Sequence, residues 1–185
     1  MAHLTVSVEY GIHSLLWLAS ANDRPMSCRD LAELQGISHS FLAKIFPKLE
    51  KAGIVRASDG VRGGYLLAIP PAEISFLDMV DAIEGRKPLF DCQDIRGRCA
   101  LFGEETPEWA SHGVCSVHAV MLRAEKAMRD ALASQSLADI GEAVGRKAPP
   151  DFAGSLRDWI QTRVGNRIPT KGRPAQSSTE GESVS

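Results

Sequence analysis

The sequence has no excess of positive charge. Its 21 Lys and Arg are outnumbered by 23 Asp and Glu, for a formal net charge of −2. A chain that coats nucleic acid without regard to sequence would be strongly basic, so that class is excluded. No window approaches the ~18 consecutive apolar residues that mark a membrane helix. The opening Met1-Ala2-His3-Leu4-Thr5 lacks the basic-then-apolar pattern of a secretory signal. A cytoplasmic protein is therefore expected. Gly-x-Ser-x-Gly, Cys-x-x-Cys, P-loop and His-Glu-x-x-His patterns are also missing. That leaves no residue on which to place catalysis, and an enzyme is not expected. There is no internal repeat.

What remains is enough for one ordinary core: 185 residues, 44% of them hydrophobic, with length to spare for an extension. The charge is uneven. Between Ser38 and Gly64 five basic residues (Lys44, Lys48, Lys51, Arg56, Arg62) face two acidic ones, Glu50 and Asp59. That surplus suits a local phosphate-facing patch.

Val8, Ile12, Leu15, Leu16 and Ala19 recur at helical spacing, predicting an amphipathic helix over residues 3–20. Asn22-Asp23-Arg24-Pro25 breaks it. Ser27-Cys28-Arg29-Asp30 has the form of a capping box, opening a short helix that stops at Gly36. Ser38 is expected to cap the next helix, which turns Phe41, Leu42, Ile45, Phe46 and Leu49 inward and ends at Gly53. Two short helices across a tight glycine turn match a helix–turn–helix, the second in the recognition position. Ser38, His39, Ser40, Ala43 and Lys44 would then line the major-groove side, with Lys48 nearer phosphate.

Ile54-Val55-Arg56-Ala57 and Tyr65-Leu66-Leu67-Ala68 flank a Gly-rich link and read as a β-hairpin, the wing. Arg62 on that link would grip the minor groove or its phosphates. A further short helix runs from Ile74 to Ile83 and ends at Gly85.

Residues 86–115 have no sustained period and carry Cys92, Cys99 and Cys115. So long an irregular stretch in a compact domain is commonly functional. Cys28, by contrast, reads as a small buried hydrophobe. In a reducing compartment the other three thiols point to metal or redox chemistry more than to disulfides. From Ser116 to Ala133, the residues Val117, Met121, Ala124, Met128 and Leu132 form a seam suited to pairing with a second copy. The alternative is packing on the chain's own core. Phe152, Leu156, Trp159 and Ile160 predict one more short helix, and the polar stretch beyond Gly165 reads as disordered.

The expected architecture is mainly α with a small β-wing. A winged helix–turn–helix domain (1–85) leads to a cysteine-bearing loop (86–115), then to a long dimerisation helix and the segment after it (116–146). A short helix (147–165) and a disordered tail (166–185) follow.

From Val8 to about Ile140 the chain resembles the winged-helix regulators of the IscR, NsrR, RirA and RsrR type. The resemblance rests on Glu9-Tyr10-Gly11-Ile12, Leu31-Ala32, Phe41-Leu42-Ala43-Lys44-Ile45, Leu49-Glu50-Lys51-Ala52-Gly53-Ile54-Val55 and Gly63-Gly64-Tyr65-Leu66-Leu67-Ala68. It continues through Ile74-Ser75-Phe76-Leu77-Asp78, Ala82-Ile83-Glu84-Gly85, the three cysteines and Ser136-Leu137-Ala138-Asp139-Ile140. Its implication is a homodimeric transcription regulator on a pseudo-palindromic double-stranded operator, often with an iron–sulfur cluster setting its affinity.

Three departures bear on that expectation. Asp59 stands where the family commonly has an arginine before the first wing glycine, leaving Arg62 for the minor-groove role. Pro47 lies inside the recognition helix, where it removes the bond to the Ala43 carbonyl and typically costs ~3 kcal/mol. The cysteine loop is stretched, with six residues between Cys92 and Cys99 and fifteen between Cys99 and Cys115.

Three thiolates leave a four-ligand site one short. His118, three residues after Cys115, would complete a Cys3His set like that of IscR-type proteins. Alternatively Glu9 and His13, one turn apart on the first helix, resemble the RsrR-type opening, in which Glu and His of one subunit join two cysteines of the other. Those cysteines would be Cys99 and Cys115, leaving Cys92 spare. Against these stand an exposed Glu9–His13 ion pair worth about 0.3–0.5 kcal/mol and a merely solvated His118. The cofactor implied is a 2Fe–2S cluster, with 4Fe–4S, zinc or none as alternatives. The competing function is a cluster-free or zinc-bound regulator switched by a metabolite or protein partner.

Overall fold

A computed structural model describes residues 4–60, 63–103 and 105–165. Arg62 and the 166–185 tail, both named above, lie outside the described residues.

Thr5 opens α1 (Val6–Ser20), its hydroxyl accepting from the Ser7 N–H. Val8, Ile12, Leu15 and Leu16 are buried, as their spacing predicts. α2 (Cys28–Gln35) begins at the expected capping box: Ser27 Oγ accepts from the Asp30 N–H, and the Asp30 carboxylate accepts from the Ser27 N–H. It ends at Gly36, which sits at φ 66° where a Cβ would be strained. α3 (His39–Lys51) sends Leu42, Ile45, Phe46 and Leu49 into the core.

One detail of α3 differs from expectation. Ser38 holds the N-cap position but makes no capping bond; its Oγ lies 2.8 Å from Ser40 Oγ instead. The helix runs on through Pro47 to Lys51, in keeping with its expected end at Gly53. Pro47 and Ala43 lie on the exposed face, so the bond forfeited at Ala43 falls on the side where water can replace it.

The wing pairs β1 (Val55–Ser58) with β2 (Gly64–Leu67), antiparallel, Val55 opposite Leu67. Met26 adds an isolated rung: its N–H donates to Tyr65 O at 3.1 Å, and the Tyr65 N–H donates to Met26 O at 2.8 Å. The wing is thereby fastened to the entry of α2. α4 (Phe76–Glu84) starts at a second capping box, Ser75 with Asp78, and buries Met79, Val80 and Ile83. Residues 86–115 are mostly irregular, with 3₁₀ turns at Ile95–Arg98 and Ala100–Phe102 and the single-turn α5 (Glu108–Ser111).

α6 (Ser116–Ala133) spans the predicted residues, but its apolar side is wider than the predicted seam. Met121, Met128 and Leu132 are half-buried, Leu132 packing against the core, on the side that faces α4. Val117 and Ala124 are exposed, and with Val120, Ala127 and Ala131 they form a separate stripe at steps of three and four. The single seam expected from Val117 to Leu132 is thus two faces. One is occupied by the chain itself, because Arg129 clamps Asp81 of α4 through two bonds, at 3.0 and 2.7 Å, and fixes the helix's rotation.

α7 (Leu137–Lys147) follows a third capping box, Ser136 with Asp139, and folds back on α1. The turn between α6 and α7 is tied to α4: the Phe76 N–H donates to Gln135 O at 2.7 Å and the Leu137 N–H to Ile74 O at 2.8 Å. α8 (Phe152–Gly165) buries Leu156 and Ile160 in the common core and pairs Arg163 with Glu33 of α2. Burial of a side chain such as Ile160 contributes about 2 kcal/mol. Among the described residues no helix is long and apolar enough to cross a membrane.

Candidate nucleic-acid interface and cysteine loop

Because its other side is spent on the core, α3 has one free face. Ser38, His39, Ser40, Ala43 and Lys44 are all exposed along it. These are short, hydrogen-bonding side chains at the leading turns, with a cation behind them, on a helix thin enough to enter a major groove. Lys48 is placed differently from expectation. Its Nζ donates to Ile83 O at 2.7 Å, where a cation complements the carbonyl end of α4. Lys51 and Arg56 are exposed and enter no ion pair among the described residues, so they extend the cationic margin towards the wing. Their charge was visible in sequence; their exposure needed the fold. Glu50 turns to the wing, its Oε1 accepting from the Ala57 N–H at 3.2 Å.

The cysteine loop is anchored at both ends. The Leu89 N–H donates to Glu125 on α6 at 3.1 Å. Arg96 bonds Asp94 at 2.8 Å and the carbonyls of His112 and Gly113, drawing the first 3₁₀ turn to the base of α6. No motif announced this clamp. Cys92 and Cys115 are half-buried, Cys99 is exposed, and all three are free thiols. Cys115 stands at the N-cap of α6, where the backbone N–H groups of His118 and Val117 hold its thiol below the usual 9.0. Burial acts the other way on Cys28, pushing its thiol up to about 11, as suits the packing role expected of it.

His118 shares the first turn of α6 with Cys115 and lies 6.1 Å from the Phe90 ring. Glu9 and His13 are exposed one turn apart on α1, beside an apolar hollow of about 520 Å³ that Val6 and Phe76 also line. Among the described residues, no three His, Cys, Asp or Glu side chains converge on a common point. One chain therefore brings Cys115 and His118 onto one turn, and holds Glu9 and His13 on a different element from the cysteines.

The comparisons with known proteins agree on the class. Residues 4–143 match the family model for Rrf2, described as an iron-dependent transcriptional regulator. The Rrf2 protein of Nitratidesulfovibrio vulgaris is 33% identical over 138 residues, 74% of this chain and 85% of its own length. The regulator IscR of Aliivibrio salmonicida is 35% identical over 95 residues, 51% of this chain and 56% of that protein. Among solved structures, CymR, the global cysteine regulator of B. subtilis, superposes with a TM-score of 0.59 at 22% identity, covering 77% of this chain and 98% of its own. IscR of T. potens gives 0.58 at 24% identity, covering 77% and 88%. At those identities the structures speak for the fold alone, a winged helix. The chain belongs to the Rrf2 family of DNA-binding transcriptional regulators.

Proposed function

We propose that the chain acts in the cytoplasm as a homodimeric regulator that reads a double-stranded operator through α3, and that an iron–sulfur cluster held by the cysteine loop sets its affinity. The observation that carries this is the pairing of two outward surfaces. The polar leading turns of α3 face one way, and the Val117, Val120, Ala124, Ala127, Ala131 stripe of α6 has no partner within the described residues. Small apolar residues at steps of three and four suit close approach of an identical helix. Two copies joined there would present two α3 helices to two half-sites. Arg62, on the wing link by sequence, adds a cation for phosphate or the minor groove.

The donor set fits an iron–sulfur cluster by chemistry: soft thiolates, one of them favoured as thiolate by its place on α6. When bound, a cluster would supply redox-sensitive iron–thiolate bonds whose integrity reports oxidant, nitric oxide or iron. Cys99 and Cys115 serve in either arrangement. The set is completed by Cys92 and His118, or by Glu9 and His13 of the second copy. We favour the second arrangement, with a 2Fe–2S cluster, because Glu9 and His13 stand free beside a hollow on α1. Such a site would join one subunit's α1 to its partner's loop, so loss of its ligands would act on the relative position of the two α3 helices. Absorption spectra of anaerobically isolated variants test this. Glu9→Ala and His13→Ala should perturb the visible bands while Cys92→Ala leaves them. The reverse pattern returns the site to Cys92 and His118.

A second reading keeps the DNA-binding dimer and dispenses with the cluster, leaving the thiols structural or on zinc. It is favoured by a cleft with no assigned occupant, described next.

A further inference from the structure

Between the second half of α1, the small-residue face of α7 and the start of α8 lies a cleft of about 620 Å³. Small-molecule sites commonly have this size, apolar walls and a few placed polar groups. Trp17 and Phe152 form an aromatic corner, their rings 6.3 Å apart and tilted by 50°. The opposite wall is low because α7 carries Gly141 and Gly145 there. A Cβ on Gly145 would meet nothing within 4 Å.

Among the described residues Arg157 is the one charged side chain lining the cleft, no carboxylate joins it there, and Arg157 enters no ion pair. Trp17 lines the wall, while its Nε1–H, sealed from solvent, has no acceptor among the described residues. The third wall, α8, lies beyond the residues that the family model matches, yet it is firmly seated through Ile160 and the Arg163–Glu33 pair.

We infer that this cleft is a binding site for a small apolar carboxylate, an aryl or short alkyl acid. Its hydrocarbon part would lie against Trp17, Phe152 and the α7 glycines, and its carboxylate would meet Arg157. The inference does not depend on the cluster.

Saturation-transfer NMR with 4-phenylbutyrate, indole-3-carboxylate and octanoate, and with their uncharged amides, tests it. At least one acid should bind saturably to the intact chain. Gly145→Leu, which fills the cleft, should abolish the signal while melting temperature and operator binding stay unchanged. Arg157→Gln should weaken the acid about tenfold and leave its amide unaffected. Failure of all three acids at millimolar concentration, or equal binding by Gly145→Leu, would overturn the assignment.

Discussion

At Gly64 the backbone of the wing meets that of the residue before α2 with room for a hydrogen and no more. A Cβ there would stand 2.6 Å from the carbonyl of Met26 and 2.9 Å from the Ser27 nitrogen, all backbone atoms held by the Met26–Tyr65 rung. Gly64→Ala should therefore lower stability by about 1–3 kcal/mol, read as a lower urea midpoint. A midpoint within error of wild type would mean the rung yields easily. Cys28 makes the second case at this scale. It is buried and its thiol is pushed up to about 11, so iodoacetamide at pH 8 should leave it untouched in the folded chain and modify it after unfolding. Labelling of Cys28 at the rate of Cys99 would show that the start of α2 opens readily. The burial of Cys28 is expected from sequence, whereas the tight fit at Gly64 is not. Gly63-Gly64 reads as turn chemistry, and only the return of Met26 to the sheet makes the second glycine a packing requirement.

Among the elements, α6 separates what periodicity can tell from what it cannot. Its limits, Ser116–Ala133, follow from the pattern, as do the capping boxes at Ser27 and the inward faces of α1 and α3. Its rotation does not. A helix apolar over nearly half its circumference has no single seam, and the Arg129–Asp81 clamp, between residues far apart in sequence, decides which half turns inward. Two substitutions should thus behave differently. Val120→Glu puts charge on the free stripe and should shift sedimentation from dimer towards monomer, with operator binding lost and little change in the chain's own packing. Met121→Glu, at the half-buried side, should lower the melting temperature as well. If Val120→Glu remains dimeric, the subunits meet elsewhere. α7 was legible only as the motif Ser136-Leu137-Ala138-Asp139; its fold back over α1, and the cleft this makes with α8, arise from tertiary packing alone.

For the molecule as a whole, acid should loosen one link between distant parts, Thr5 with Glu84, and one helix cap, Ser136 with Asp139. Glu84 of α4 is held below its usual 4.5, chiefly by a hydrogen bond from the Thr5 hydroxyl at the head of α1. Asp139 is held below its usual 3.8 by the Ser136 N–H and then its hydroxyl. Both carboxyls bind protons more readily unfolded than folded. Their contribution is complete above about pH 4.5 and is lost as pH falls through the depressed folded values. Melting temperature should hold from pH 7 to 5 and fall below that, less steeply in Thr5→Val. Parallel curves would mean the Thr5–Glu84 link adds nothing.

The winged helix and the cysteine loop are legible in sequence because each has local signatures. The proposed ligand set is not, since Glu9 and His13 lie on a different element from the cysteines, and the proposal takes them from a second copy. The central claim, a cluster-bearing DNA-binding dimer, is tested most directly by iron and sulfide content with the visible spectrum of strictly anaerobically isolated protein. The protein should be brown, with about two iron and two sulfide per chain, and bleached by Cys99→Ala or Cys115→Ala. A colourless protein, or one carrying zinc, would contradict it.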